Sequence, residues 1–420
     1  MMGEIAHITE ARYSDVYFEF LARNRPFVLD ASHTERWSCR RHWVTPEGTL
    51  NFDYLSERFG SLCVPVVNTS VESGYNYAST SRLVQLEDFL CKLKAGETND
   101  YLKDWHFDHV YTCPLYLSSD WVDECAHPNC ETANVQHDRP ESQLRNPFDG
   151  DYRFVYLGPK DSWTPLHADV LNTHSWSANI VGQKRWYLIP PGRECPSFCD
   201  NHRNDDDVSS KNAVCDAVSL VNDMRQFRCR FADAGVLELV QQPGEIVFVP
   251  AGWHHQVHNL TTTLSINRNW ANASNVALLW QYVRTRWLAA TREIQHCKQL
   301  MNEREFEQQC QLITKADARL DVDCMVDWLC LVIRNRSTTV NDRQSTLALE
   351  TALRECCTAS KEHSSKLILD CLNSHVLMFS DKFVLTCDKP TAICAIQSPN
   401  SIVLLISLFS SLAHSPQQWQ

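Results

Sequence analysis

A mainly β protein with helices (α+β), its core a barrel or a double-sheet jelly roll, is predicted by three observations. Between Tyr152 and Trp270 the chain breaks into short aromatic and β-branched segments of strand length. Gly and Pro turn signals separate those segments. Helical spacing of apolar residues lies outside this stretch and is clearest after it. Many short strands at such spacing belong to closed or face-to-face sheets, which bury one face of every strand.

Residues 1–120 read as mixed α/β. A helix over 13–23 precedes a short strand at 25–29, a second apolar run of strand length covers 62–67, and 86–94 has helical spacing. From 126 to 150 the chain is rich in Pro, Asn, Asp and Gln, the composition of an irregular surface loop. Residues 121–273 hold the barrel. Its expected strands are 152–157, 166–169, 175–180, 184–189, 237–240, 245–249, 254–259 and 262–270, divided by Gly158-Pro159, Pro190-Pro191-Gly192, Pro243-Gly244 and Ala251-Gly252. An insertion at 193–234, carrying Asp205-Asp206-Asp207, reads as a solvated loop. Residues 274–385 change to helical spacing. Ser274 is placed to cap a helix whose face carries Val276, Leu279, Tyr282, Val283 and Trp287. A second helical stretch runs from about 304 to 333, with weaker ones near 345–357 and 363–379. The tail, 386–420, has little usable pattern.

The bulk numbers exclude several classes. Of 420 residues, 44% are hydrophobic and 21% charged, the balance of a chain with a substantial core. The net charge of −12 argues against binding nucleic acid through its phosphates, which needs Lys and Arg. Nineteen cysteines are scattered and odd in number, so free thiols in a reducing, cytoplasmic setting are expected. No signal peptide is expected at Met1 to Glu10. The longest apolar run, 402–413, is shorter than the roughly 20 residues of a membrane-spanning helix. There is no Gly-rich phosphate loop and no Gly-x-Ser-x-Gly element. Cys125, His127, Cys130 and His137 do not have the spacing of paired Cys-x-x-Cys knuckles, and Cys356-Cys357 reads as incidental.

One constellation carries chemistry. In Thr164-Pro165-Leu166-His167-Ala168-Asp169, residues i and i+2 of an extended chain face one way, so His167 and Asp169 can reach one metal ion. A third ligand is offered 88 residues after His167, where Pro250-Ala251-Gly252-Trp253 leads into His254-His255. Neighbours in a strand face opposite ways. His255 shares its face with Trp253 and Val257, which suit a barrel interior, whereas His254 shares its face with Gln256 and His258, which suit the outside. Two histidines and a carboxylate on one octahedral face leave positions open, which suits non-haem Fe(II) binding a co-substrate together with O2. 2-Oxoglutarate is such a co-substrate. Its keto-acid end chelates the metal, and its far carboxylate needs a cation and hydroxyls. Lys184 or Arg185 can point inward, but not both, and Thr164 can offer a hydroxyl.

These motifs resemble the JmjC (jumonji) family, in its small hydroxylase branch. The matching pieces are Thr164 to Asp169, Trp176 to Trp186, Pro243 to Leu260 and Ser265 to Trp270. The resemblance implies a double-stranded β-helix (jelly-roll/cupin) core with Fe(II), 2-oxoglutarate and O2 as its cofactors. It implies His167, Asp169 and His255 as metal ligands and Lys184 as the partner of the far carboxylate, with Thr164 assisting. It adds Tyr101, from Tyr101-Leu102-Lys103-Asp104, and Asn269 beside the co-substrate. Ser177 departs from the family, where Asn is frequent. Further signs are Asp104-Trp105, Leu117-Ser118-Ser119-Asp120-Trp121 and Asp151 to Tyr156. They point to a branch that hydroxylates a lysine side chain of the translation termination (release) factor. The resemblance covers about residues 10 to 300.

The resemblance implies a protein substrate and leans toward a homodimer through the C-terminal helices, while the net charge and the short apolar runs predict no direct nucleic acid and no membrane. A monomer whose helices cover the barrel is the other use of their apolar stripes. The competing activities are demethylation of N-methyl-lysine on histones or other proteins and oxidation of a small molecule. Against demethylation stand Asp169, where most demethylases carry Glu, and the lack of a chromatin-reading zinc module.

Overall fold

The structure, a computed structural model, describes residues 4–69, 81–107, 110–126, 152–193 and 223–336. Residues His127, Cys130, His137, Cys356 and Cys357, most of the 193–234 insertion, the helices expected beyond 345 and the 386–420 tail lie outside them. Among the described residues the strands are β1 (Ala6–Ile8), β2 (Phe27–Leu29), β3 (Cys63–Asn68), β4 (Ser81–Gln85), β5 (Asp100–Trp105), β6 (Arg153–Gly158), β7 (Trp163–His167), β8 (His174–Val181), β9 (Lys184–Ile189), β10 (Leu237–Gln241), β11 (Ile246–Val249), β12 (His254–Asn259) and β13 (Thr263–Trp270). The helices are α1 (Tyr13–Val16), α2 (Ser38–His42), α3 (Phe52–Phe59), α4 (Leu86–Ala95), α5 (Trp121–Ala126), α6 (Phe231–Ala234), α7 (Val276–Glu293), α8 (Glu303–Ala318) and α9 (Val322–Arg336). None of them is long and apolar enough to cross a membrane.

The chain divides into two compact units. The first is Met1–Ala11, Asn24–Ser118 and Asp151–Asn269. Its described strands form a nine-stranded sheet, β1-β2-β11-β8-β13-β6-β5-β3-β4, and a four-stranded sheet, β10-β9-β12-β7. From β6 onward the chain passes back and forth between them. β6, β8, β11 and β13 lie in the large sheet, and β7, β9, β10 and β12 in the small one. This winding is a double-stranded β-helix. N-terminal strands extend the large sheet at both ends, β2 against β11 and β5 against β6. Apolar side chains of the two sheets, Val247 and Val249 with Trp186, Leu188, Trp253 and Val257, pack as one cluster. β8 is buried at every position, as expected of a strand flanked on both sides, and its polar Ser175, Ser177 and Asn179 are therefore interior.

Turn chemistry holds the windings in register. Gly182 joins β8 to β9 at φ +80, and a Cβ there would lie 2.2 Å from the Thr262 carbonyl oxygen. Gly244 enters β11 at φ +90, with Ala31 Cβ 2.7 Å from where its own Cβ would be. Only glycine meets both demands. The expected helix over 13–23 is α1 continued as a π-helical turn, Tyr17–Leu21.

The second unit comprises Arg12–Arg23, Ser119–Gly150 and Trp270–Gln420. Two sequence expectations change here. Ser274 does not cap α7: its hydroxyl and its backbone N–H both donate to Asn272 Oδ1, and Asn275 occupies the cap position, its side chain accepting from the Asn272 N–H and not from the helix. The stretch 304–333 is not one helix. α8 starts on a capping box made by Asn302 and Glu305 and ends at Arg319, in the left-handed region at φ 60. Asp321 Oδ1 then accepts from the Cys324 N–H and starts α9. A carboxylate two residues after a left-handed residue competes for the backbone donors that a continuous helix would need. α9 packs on α5, with the Trp121 and Trp328 rings 6.2 Å apart.

Gly182→Ala is expected to destabilise the protein by at least about 2 kcal/mol, from left-handed strain of ~1–2 kcal/mol plus the overlap with Thr262. Urea unfolding of the variant checks this. A midpoint equal to that of the wild type would mean the turn relaxes freely.

Candidate active site

β7 and β12 are neighbours in the small sheet, and His255 lies opposite His167 in their register. Their rings are 4.2 Å apart. β7 ends at His167, yet Asp169 keeps extended dihedrals, φ −64 and ψ 150, before the turn Val170–Asn172. The alternation therefore carries through, and Asp169 faces the same way as His167. Ligand atoms of His167, Asp169 and His255 all lie within 4.8 Å of one another.

Hydrogen bonds prepare all three. His167 Nδ1 is 2.8 Å from the Pro165 carbonyl oxygen, and His255 Nδ1 is 3.2 Å from that of Trp253. A carbonyl only accepts, so each Nδ1 carries the proton and each Nε2 keeps its lone pair for a metal. Ser175 donates to Asp169 Oδ2 at 2.6 Å, which leaves Oδ1 for the cluster. Burial, and then the neighbouring His255, hold the His167 pKa well below its usual value, so the ring is neutral and able to ligate.

His254 lies outside the cluster. Its face is not the solvent face expected from the sequence, because Gln256 and His258 are buried. Gln256 accepts from the Met224 N–H at 2.8 Å, and Met224 and Phe231 pack with Tyr187 on that side. The end of the insertion covers the sheet, which strand alternation has no means of revealing.

Thr164, Tyr101, Lys184 and Asn269 line one pocket with His167, Asp169 and His255, a cavity of about 490 Å³ counting its open mouth. Lys184 is 1% exposed and donates to Ser265 Oγ at 2.6 Å. Arg185 turns outward to Glu238 at 3.4 Å. Burial, with some repulsion from Lys103, lowers Lys184 to about 7. Among the described residues no carboxylate forms an ion pair with Lys184. A buried ammonium facing a pocket without a counter-charge fits an anionic ligand. Asn269 donates to Thr173 Oγ1 at 3.0 Å. Ser177 donates to Asn267 Oδ1 at 2.7 Å, so the position where relatives often carry Asn keeps a polar contact.

Sequence reasoning passed over Ser175, Ser265 and Lys103. Ser175 and Ser265 are buried hydroxyls within strand runs, without a motif of their own. Lys103 had a usable signal: it stands two residues after Tyr101, on the same face of β5.

A family model described as "JmjC domain, hydroxylase" matches residues 154–270. The chain belongs to the JmjC family and is a 2-oxoglutarate- and iron-dependent oxygenase. It is 36% identical to the zebrafish (Danio rerio) 2-oxoglutarate and iron-dependent oxygenase JMJD4, over 79% of this chain and 75% of that protein. It is 35% identical to the Homo sapiens JMJD4, over 80% and 77%. It is 34% identical to the Arabidopsis thaliana protein named arginine-specific demethylase JMJ20, over 77% and 69%. The donor set fits the iron these relatives are named for, and the buried Lys184 fits an anionic co-substrate such as 2-oxoglutarate.

Buried histidines give the protein an acid limit. His167 and His174 are lowered to about 3 and His258 to about 4, in each case chiefly by burial. The unfolded imidazole titrates near 6.5. Below that pH the unfolded chain binds protons that the folded chain refuses. Stability of the metal-free protein should therefore fall as pH drops from 6.5 toward 4, by about 1.4 kcal/mol per pH unit for each histidine. His174 Nδ1 accepts from the Ala251 N–H at 2.9 Å. His174→Asn keeps an acceptor and should remove one histidine's share of the slope. Thermal melts between pH 7.5 and 5 check both expectations.

Proposed function

We propose that the protein hydroxylates a lysine side chain of a protein substrate, the translation termination factor, with His167, Asp169 and His255 holding Fe(II). The carrying observation is the His-Asp-His cluster sharing one pocket with a buried, uncompensated Lys184. In this reading Lys184 pairs with the far carboxylate of 2-oxoglutarate. Thr164 and Tyr101 bind that carboxylate with their hydroxyls, and Asn269 lies beside the co-substrate. Iron with 2-oxoglutarate and O2 supplies the oxidation: one oxygen atom enters the substrate C–H bond, and the other leaves in succinate, with CO2 released. The protein's part is to hold His167 neutral, orient His255 through the Trp253 carbonyl and Asp169 through Ser175, and line the pocket with the apolar Trp186 and Val257. The identity of the substrate rests on the resemblance of the motifs to the release-factor branch. Cytoplasmic residence is part of the proposal and is supported by the described cysteines, all of which are free thiols.

N-methyl demethylation is the second reading, favoured by the relative named as an arginine-specific demethylase. It uses the same site, with oxidation of a methyl group. Intact-mass analysis separates the two. The enzyme with iron(II), 2-oxoglutarate and O2 should add one oxygen to a release-factor domain. Loss of a methyl group from a methylated peptide, with no oxygen gained by the release factor, would favour demethylation.

His255→Ala should abolish turnover and iron binding, and His254→Ala should largely spare both, as read by iron titration and succinate release. The reverse result would move the ligand by one residue. Lys184→Ala should raise the 2-oxoglutarate requirement roughly tenfold or more, since about 1.4 kcal/mol is one decade and a buried ionic contact exceeds that. Iron affinity should stay near the wild-type value. An unchanged 2-oxoglutarate KM would remove Lys184 from the co-substrate contacts.

A further inference from the structure

A second buried lysine stands behind the wall of the pocket. Lys103 is 5% exposed, and its Nζ donates to Thr164 Oγ1 at 2.8 Å. The same ammonium lies 5.0 Å from the centre of the Tyr101 ring and 5.8 Å from that of Tyr156. Tyr101, Tyr156 and Thr164 all line the pocket, so Lys103 touches three of its walls. Two residues after Tyr101 on β5, it shares that strand's inward face, and a shift in the β5–β6 pairing between Leu102 and Trp105 accommodates it.

A hydroxyl that accepts from an ammonium has one lone pair engaged on that side. Its own hydrogen then points away from the donor, here away from Lys103. Without Lys103 the Thr164 hydroxyl keeps only its side-chain contact with Tyr101, and it can turn a lone pair toward the pocket in place of its hydrogen. A carboxylate in the pocket needs the hydrogen. Charge acts in the same direction. Burial and mutual repulsion lower Lys184 to about 7, and burial lowers Lys103 to about 7 against the nearby Asp104, so a carboxylate entering the pocket favours the charged form of both.

We propose that Lys103 is a positioning residue for the co-substrate: it orients the Thr164 hydroxyl and adds the second positive charge that selects a keto acid with a far carboxylate. This inference rests on Lys184 and Thr164 meeting that carboxylate, as proposed above.

The test is binding to the full chain loaded with manganese(II), so that no turnover is needed. Two ligands are titrated calorimetrically: 2-oxoglutarate, and 2-oxovalerate, which has the same carbon chain without the far carboxylate. The wild type should prefer 2-oxoglutarate. Lys103→Met, close in shape and uncharged, should weaken 2-oxoglutarate roughly tenfold and leave 2-oxovalerate within about twofold. Thr164→Val should also weaken 2-oxoglutarate, and the double variant should lose less than the product of the two single losses, because one acts through the other. Should Lys103→Met fail to fold, as read by its melting curve, Lys103→Gln takes its place under the same requirement of a selective loss.

Unchanged 2-oxoglutarate affinity, or an equal loss for both keto acids, would overturn the role of Lys103. Multiplicative losses in the double variant would overturn the action through Thr164. A wild type that does not distinguish the two keto acids would overturn the underlying placement of Lys184 and Thr164 as well, an outcome distinct from failure of Lys103 alone.

Discussion

Across β7 and β12, His167 faces His255 on the inner side of the small sheet, while His258 faces Trp163 on the outer side with the two rings stacked at an interplanar angle of 3°. That pairing is the constraint on which the rest depends. A slip of one residue would carry His255 out of the pocket and bring His254 into it, and every other side chain of the strand would change faces as well. Both faces resist such a slip. Trp253 and Val257 belong to the apolar cluster between the sheets. Gln256 and His258 are hydrogen-bonded to each other under the cover of Met224 and Phe231. The metal ligands are therefore placed by a backbone ladder whose register is held from both sides, and they do not depend on a mobile loop for their alignment.

The interior of this barrel is more polar than packing alone would choose. Ser175, Ser177, Lys184, Ser265, Asn267 and Asn269 project into a space that a purely structural barrel would fill with aliphatic side chains. Most of these groups satisfy one another: Ser177 with Asn267, Ser175 with Asp169, Ser265 with Lys184. The lysine is the exception in charge, because a serine hydroxyl solvates an ammonium without neutralising it. Burial of that kind lowers the stability of the empty fold and is offset when an anion binds. Arg185, next in sequence, faces the other way and has the carboxylate of Glu238 as its counter-charge.

Most of the barrel was legible because its strands obey local rules. Aromatic and β-branched runs bounded by Gly and Pro marked β6 to β13 to within a few residues. β4 and β5 escaped because Ser81–Gln85 and Asp100–Trp105 carry polar and charged residues that imitate loops. β4 is an edge strand with four exposed positions, and β5 turns a lysine into the protein interior. The break between α8 and α9 escaped because apolar spacing continues across it. What stops the helix is the left-handed Arg319 and the side chain of Asp321, and neither disturbs the periodicity.

The sequence by itself determined which residues have the chemistry of the site, since two histidines and an aspartate at fixed offsets, with a lysine on a following strand, are covalent facts with few alternatives. It also determined the alternation that puts His167 with Asp169 and separates Lys184 from Arg185, because the period of an extended chain is local. Tertiary structure alone decided what lies behind those residues. Met224, part of the cover over Gln256 and His258, reaches Gln256 across 32 residues. Ser265 reaches Lys184 across 81 residues, and Lys103 reaches Thr164 across 61. Contacts at such separations depend on which strands the two sheets bring together, and no local period encodes that choice.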